Sequence, residues 1–254
     1  MTKDNKIFLS VIIPSYNEQQ NLARGVLDEV ASYLQKQKYT YEVILSDDGS
    51  TDGTTEVLQN FAKKHPHFRV LANKHAGKGP TVTKGMLSAK GQWRLFTDFD
   101  QSTPLSEVKK LFPSTVDHEI VIGSRAAQGA KREKEPLIRH IMGFGFNILT
   151  RMIVLPGILD SQCGFKLFSD HAAETIFPQL YIYSPNHRAL DAFTGAFDVE
   201  LLFLARKNKI PVAEIPVLWQ HAASNRVSPI KDSLRMLRDI IRIRLTSWRG
   251  KYEK

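Results

Sequence analysis

The sequence predicts an α/β fold: a mostly parallel sheet flanked by helices, with a basic amphipathic helix at the C-terminal end. Three patterns predict it. Short apolar runs rich in β-branched and aromatic residues alternate with helical stretches through the first half, which is the mark of βαβ units. Three of those runs lead straight into polar, acidic, turn-forming stretches. The last stretch repeats apolar residues at helical spacing, with arginines one step round.

The elements follow in order. IFLSVII (7–13) is the first predicted strand, and Asn17 caps a helix from Glu18 to about residue 37. YEVILS (41–46) is the second strand, and Asp52 opens a helix that fades near KKHPH. FRVLA (68–72) is the third strand, followed by a helical stretch near 80–90; QWRLFT (92–97) is the fourth. Ligands bind beyond the carboxyl ends of strands in such sheets. That rule places PSYNE (14–18), DDGSTDGT (47–54) and DFD (98–100) at one rim.

The second half is less regular. Residues 126–136 read as a mobile basic loop, and 137–159 as an apolar stretch broken by Arg139, His140, Asn147 and Arg151. FDVELLFLARKN (197–208) reads as a helix, and IPVAEIPVLW (210–219) as a strand. Ser228 and Pro229 open the final helix as N-cap and first helical residue. Its apolar residues are Ile230, Leu234, Leu237, Ile241, Leu245 and Trp248; its basic stripe is Lys231, Arg235, Arg238, Arg242 and Arg249. The division expected is an α/β unit over 1–225 and a basic helix and tail over 226–254.

A chain of 254 residues with 42% hydrophobic and 24% charged residues has a globular composition. One cysteine, Cys163, excludes an internal disulfide and points to a reducing compartment. The apolar N-terminal stretch is too short for a signal peptide. No run approaches the ~18 apolar residues of a membrane span. The expectation is a cytoplasmic location. The net charge of +9 asks for an anionic partner: nucleic acid, anionic lipid or a phosphorylated substrate. No aromatic–basic interleaving or RNA-binding motif supports nucleic acid.

Asp98 and Asp100 stand two apart at a strand end, so they point to the same side. Two carboxylates held together repel unless a cation lies between them. Hard oxygen ligands suit Mg²⁺ or Mn²⁺, which share carboxylates with substrate phosphates. Adjacent Asp47 and Asp48 exceed what a turn needs. Tyr16 can stack on a base, and Glu18 can bond a ribose hydroxyl. Lys78 lies between two glycines in HAGKGPTVTKG (75–85) and can reach a phosphate. That stretch matches neither G-x-x-x-x-G-K-[ST] nor G-x-G-x-x-G.

In this order, SVIIPSYNE, DDGSTDGT, GKG and the D-x-D resemble the GT-A (Rossmann-like) glycosyltransferases of family 2. VIGSR (121–125), GFGFNILTRM (143–152), DSQCGFKLF (160–168), FDVELLFLA (197–205) and EIPVLW (214–219) look like its dolichyl-phosphate β-glucosyltransferase branch. Dolichyl-phosphate mannose synthases are close cousins. The resemblance implies that Asp98 and Asp100 hold a divalent metal, Mg²⁺ or Mn²⁺, on the diphosphate of a nucleotide-sugar donor. It implies that Pro14, Tyr16, Glu18 and one of Asp47 or Asp48 line the nucleoside, with Lys78 and Arg125 near the phosphates and sugar. Gln101 is a third candidate metal ligand. Mannose synthases often place a glutamine two residues after the second aspartate; here it follows at once. Asp160 is a candidate to orient the acceptor or a basic residue.

The implied reaction is transfer of a hexose, glucose from UDP-glucose, to a polyprenyl (dolichyl-type) phosphate with inversion. The alternatives are a mannose synthase using GDP-mannose, or a family 2 enzyme with a soluble or polysaccharide acceptor. A phosphate monoester, with a second pKa of about 6, is already ionised near neutral pH, so a strong general base is not required. Two anionic substrates call for cations: Arg125, Lys131, Arg132, Arg139 and Lys166 are candidates. Segments 137–155 and 230–249 are expected at the membrane interface. That makes the protein peripheral at the cytoplasmic face, on anionic lipid or beside a membrane-protein partner. Cys163 and Trp219 read as packed residues, His75, His140, His187 and His221 as structural or surface, and Glu200 as facing the site.

Overall fold

The computed structural model describes residues 6–133, 137–184, 195–220 and 229–252, with the side chains of 137–144 and 229–233 outside that description. In chain order the first elements are β1 (Leu9–Ser15), α1 (Gln19–Ala23), α2 (Val26–Gln35), β2 (Tyr41–Asp47), α3 (Thr54–Lys64), β3 (Phe68–Ala72), α4 (Lys78–Ser88) and β4 (Trp93–Thr97). Then come α5 (Val108–Leu111), β5 (Ile120–Ser124), β6 (Lys131–Glu133), α6 (Leu137–Ile153), β7 (Phe165–Ser169), α7 (Asp170–Ile176), α8 (Phe197–Lys207), β8 (Val212–Pro216), β9 (Leu218–Gln220) and α9 (Pro229–Trp248).

Seven strands form one sheet in the order β3-β2-β1-β4-β7-β5-β8. Every pairing in it is parallel except the two made by β7, which runs against β4 and β5. The strands read as nearly continuous apolar runs because helices cover both faces. Alternate residues split between two cores. Ile12, Ile44 and Phe96 join one; Val11, Ile13, Val43, Leu45 and Leu95 join the other. Helix α4 approaches β1 so closely that a Cβ on Gly85 would lie 2.5 Å from Ile12 Cγ2.

The antiparallel β7 has a functional consequence. The carboxyl ends of β1, β2, β4 and β5 define one rim, and the amino end of β7 arrives at that rim from the other direction. The turn 160–164 therefore stands beside residues 98–101.

The predicted strands and helices of the first half form within a few residues of their expected bounds, with one difference. The helix expected over 18–37 divides into α1 and α2, because Gly25 takes φ +77° between them. Asn17 is not its cap. It takes φ +54°, and its Oδ1 accepts Thr51 N–H at 2.8 Å, tying the first rim loop to the second. Residues 131–133, read as part of a loop, form β6 and pair in parallel with β9. Ser228, His187, His221 and the side chains of Arg139 and His140 lie outside the described residues.

The C-terminal helix carries apolar residues on two faces. Ile240 and Ile243 are fully buried in the same core as α8, and α9 packs on α6. The stripe read from the sequence lies elsewhere: Leu234, Ile241, Leu245 and Trp248 are exposed. Two tyrosines fasten this helix and the residues after it to the catalytic fold. Tyr183 Oη donates to Asp239, and Tyr252 Oη donates to Glu200 Oε1 at 2.7 Å.

Glu200 does not face the site. It is fully buried and accepts the N–H groups of Tyr181, Ile182 and Tyr183 at 2.8–3.0 Å in addition to the Tyr252 hydroxyl. A buried carboxylate with four donors is a structural anchor. Glu200→Ala leaves those donors unsatisfied and should lower stability by about 3–5 kcal/mol in denaturant titration. A loss below about 1 kcal/mol would contradict the anchoring role.

Candidate active site

The rim is built loop upon loop. At the end of β1, Asn17 N donates to Ser50 Oγ at 2.9 Å and Glu18 N to Thr54 Oγ1 at 2.8 Å. PSYNE is thereby stitched to DDGSTDGT. Pro14 is the penultimate residue of β1, Tyr16 lies just beyond the strand, and Glu18 Oε2 accepts Asn21 Nδ2–H at 2.6 Å.

The two adjacent aspartates divide their labour. Asp47 organises its own loop: it accepts from Ser15 Oγ, the N–H groups of Gly49 and Ser50, Ser50 Oγ and Thr55 Oγ1. Asp48 reaches across to the third loop. Its oxygens accept Ala76 N–H at 2.8 Å, Gly77 N–H at 2.9 Å, Thr81 Oγ1–H at 2.7 Å and His75 Nδ1–H at 2.9 Å. His75, read from the sequence as structural or surface, also stacks on Tyr16.

That loop delivers Lys78, whose Nζ lies 2.6 Å from Asp98 Oδ1. Burial works against the ammonium, but the carboxylates of Asp98, Asp198 and Asp100 outweigh it and raise its pKa above the ordinary lysine value. Asp98 continues the β4–β7 pairing through its N–H, which donates to Gly164 O at 3.1 Å. A side chain at position 164 would displace this carboxylate, since a Cβ on Gly164 would lie 2.0 Å from Asp98 Oδ2. The Asp98 side chain remains 39% exposed. Asp100 accepts Ser102 N–H at 2.9 Å, and its pKa is raised, first by burial and then by the Asp98 charge.

Gln101 turns inward. It takes φ +51°, its Nε2 donates to Asp98 O at 2.9 Å, and its Oε1 is buried without a partner. Through its Nε2 it shapes the turn that holds Asp98 and Asp100.

Asp160 and Arg125 form the opposite wall. Arg125 Nε and Nη2 donate to Asp160 Oδ2 and Oδ1 at 2.7 and 2.9 Å, and the Arg125 backbone N–H adds a bond at 2.9 Å. Burial would raise the Asp160 pKa, but Arg125 holds it well below the usual carboxylate range. Asp160 therefore holds the Arg125 guanidinium in place. The guanidinium also lies 5.5 Å from the centre of the Trp219 ring, so that packed tryptophan helps fix it. Arg132 Nε donates to Arg125 O at 2.8 Å, and Lys131 is exposed.

Lys166 is not available to an acceptor. It is fully buried, donating to Asp198 Oδ1 and Cys163 O. Asp198, at the start of α8, is thus the charge behind both Lys166 and Lys78. The sequence reading sets Glu200, not Asp198, toward the site, and gives Gly164 no role. The glycine within CGF was the available signal. Cys163 is buried, and burial pushes its thiol pKa up to about 11, which suits a packed residue.

The rim thus joins two carboxylates and a lysine, and the turn 160–164 beside them carries the carboxylate that clamps Arg125. The profile of Glycosyl transferase family 2 matches residues 10–177, from β1 through α7. This chain belongs to that family. Relatives similar along nearly all of it are named dolichyl-phosphate beta-glucosyltransferase. The Dictyostelium discoideum protein is 35% identical, covering 94% of this chain and 75% of its own; the Homo sapiens protein is 36% identical, covering 93% and 75%. The Saccharomyces cerevisiae protein is 32% identical, covering 98% and 78%. Among solved structures, Mycobacterium tuberculosis glucosyl-3-phosphoglycerate synthase, in complex with Mn²⁺, UDP and glucosyl-3-phosphoglycerate, superimposes with a TM-score of 0.61 at 17% identity. That alignment covers 95% of this chain and 79% of that one. The likeness establishes the GT-A fold.

The raised Asp100 pKa fixes the sign of a stability effect. The folded protein keeps this proton to a higher pH than the unfolded chain, so stability falls as pH rises through the folded pKa. At neutral pH the ionised Asp100 is therefore a burden on the metal-free protein. Asp100→Asn should raise its melting temperature at pH 7, with the gain shrinking toward acid, while turnover drops by orders of magnitude. Full turnover in this variant would remove Asp100 from the site.

Proposed function

We propose that this glycosyltransferase transfers glucose from UDP-glucose to a dolichyl-type polyprenyl phosphate, inverting the anomeric carbon. The observation that carries the reading is the extent of the likeness. Relatives named for dolichyl phosphate match 93–98% of this chain, through the second half as well as the donor-side rim.

Asp98 and Asp100 are the residues that would hold Mg²⁺ or Mn²⁺. Among the described residues no cluster of three or more metal-ligating side chains exists, so the protein offers an incomplete set. That suits a hard cation that takes its remaining oxygens from water and a diphosphate. Bound there, the metal supplies charge compensation for the leaving diphosphate. Tyr16 offers a face for the base, Asp48 an acceptor for a base N–H, and Glu18 an acceptor for ribose. Lys78 stays protonated beside Asp98 to meet phosphate. Arg125, locked by Asp160, is the preorganised cation for the acceptor or sugar side, with Arg132 and Lys131 beyond it. The acceptor phosphate arrives ionised, and Asp160 needs no spare capacity as a base.

The acceptor is a lipid, yet among the described residues no helix is long and apolar enough to cross a membrane. The supporting observation for a peripheral reading is the exposed apolar surface on α6 and α9. Ile148, Leu149 and Met152 are exposed on α6, and Leu234, Ile241, Leu245 and Trp248 on α9, beside its arginines. This is the face of an interfacial helix, with anionic lipid at the cytoplasmic leaflet its counterpart.

Product analysis tests the donor. Offered UDP-glucose, UDP-GlcNAc or GDP-mannose with dolichyl phosphate and Mn²⁺, the protein should label lipid from UDP-glucose, and UDP should compete better than GDP. Lipid labelled from GDP-mannose would move the reading to a mannose synthase.

Vesicle sedimentation tests the surface. At ~1 kcal/mol per basic residue, changing Arg235, Arg238 and Arg242 together to Gln should weaken binding to anionic vesicles about a hundredfold at low salt. High salt should mimic the change, and UDP binding should stay as it was. Unchanged vesicle binding with collapsed thermal stability would make α9 a packing element only.

A further inference from the structure

The imidazole of His75 lies on the ring of Tyr16, with centroids 4.4 Å apart and planes 20° from parallel. Its Nδ1 is 2.9 Å from Asp48 Oδ2. A carboxylate only accepts, so this nitrogen carries the proton. An aromatic face and a carboxylate that takes a ring N–H are the two features that the proposed donor site offers to a nucleobase. One side chain of the protein already uses both.

We propose that His75 is a placeholder for the nucleobase: its side chain fills the base position in the donor-free protein and swings out as the donor enters, which makes it a determinant of donor affinity and base choice. The inference rests on the reading of this rim as a nucleotide-sugar site.

The geometry lets the ring leave alone. Asp48 keeps the N–H groups of Ala76 and Gly77 and the Thr81 hydroxyl, so the loop backbone stays anchored. The His75 side chain is 28% exposed, so one side of it opens to solvent. The exchange is balanced for uracil, which brings a flat ring and one ring N–H to replace those of imidazole. Cytosine carries a bare nitrogen where uracil carries that N–H, and a bare lone pair repels the carboxylate. The site vacated by His75 therefore selects UDP over CDP.

The sign of one mutation separates this from an ordinary contact. A residue that holds the base loses affinity on truncation; a residue that competes with it gains. In calorimetry with UDP and Mn²⁺, His75→Ala should bind UDP roughly tenfold more tightly than the wild type, the worth of about one charged hydrogen bond and a stacked ring. His75→Phe keeps the stack without the N–H, should fall between the two, and carries the test if His75→Ala does not fold. CDP should bind weakly to all three. In NMR of the wild type, the His75 ring signals should move toward those of a solvated histidine as UDP is added. UDP binding to His75→Ala that is weaker or unchanged, or His75 signals that ignore UDP, would overturn the placeholder while leaving the donor site in place. A wild type that binds no UDP would instead remove the donor reading itself, and the placeholder with it.

Discussion

The arrangement of the rim depends on one backbone hydrogen bond, from Asp98 N–H to Gly164 O. It extends the antiparallel pairing of β4 with β7 one step past the strand ends. Asp98 belongs to the half of the chain that carries the donor-side motifs, and Gly164 to the turn that carries Asp160. The bond therefore sets the distance between two parts of the candidate site drawn from the two halves of the sequence. A parallel strand in place of β7 would send its amino end, and the turn with it, to the far edge of the sheet. The glycine is part of the same constraint, because any side chain would displace the Asp98 carboxylate.

Around that bond the charges are arranged unevenly. Arg125 and Asp160 are matched in a bidentate pair, and Lys166 is matched with Asp198. Matched and buried pairs are rigid, and they hold the walls. Asp98, Asp100 and Lys78 are not matched one to one: two carboxylates share a lysine, and Asp100 holds its proton more tightly than an ordinary aspartate. Such imbalance supports the proposed reading of this rim as a site for a cation and a diphosphate. Under that reading the fold places its strain where ligands relieve it and its complete pairs where they support.

Much of this was legible in the sequence because parallel sheets are written locally. A buried strand is an apolar run, a rim loop follows it, and the alternation of β1 through β4 can be read with no knowledge of distant partners. The Asp98/Asp100 pair was legible for the same reason. What escaped depends on tertiary placement. Asp47 and Asp48 look alike in sequence, yet the first serves its own loop and the second reaches residues 75–81. Lys166 and Glu200 carry charge in segments that look functional, and only burial shows that they are anchors. β6 is three residues long, pairs with β9 and has no pattern of its own to announce it. The final helix was read correctly as basic and amphipathic, but helical spacing alone did not reveal its second apolar face, because Ile240 and Ile243 alternate closely with the exposed stripe.

The central claim is that Asp98 and Asp100, set against the turn 160–164, are where a metal meets the donor diphosphate. A crystal structure of the protein with UDP and Mn²⁺, read by the anomalous signal of manganese, tests it most directly. The account predicts one manganese peak bonded to an Asp98 or Asp100 carboxylate and to the diphosphate. Manganese bound elsewhere, or UDP seated at the rim with its diphosphate remote from both aspartates, would contradict it.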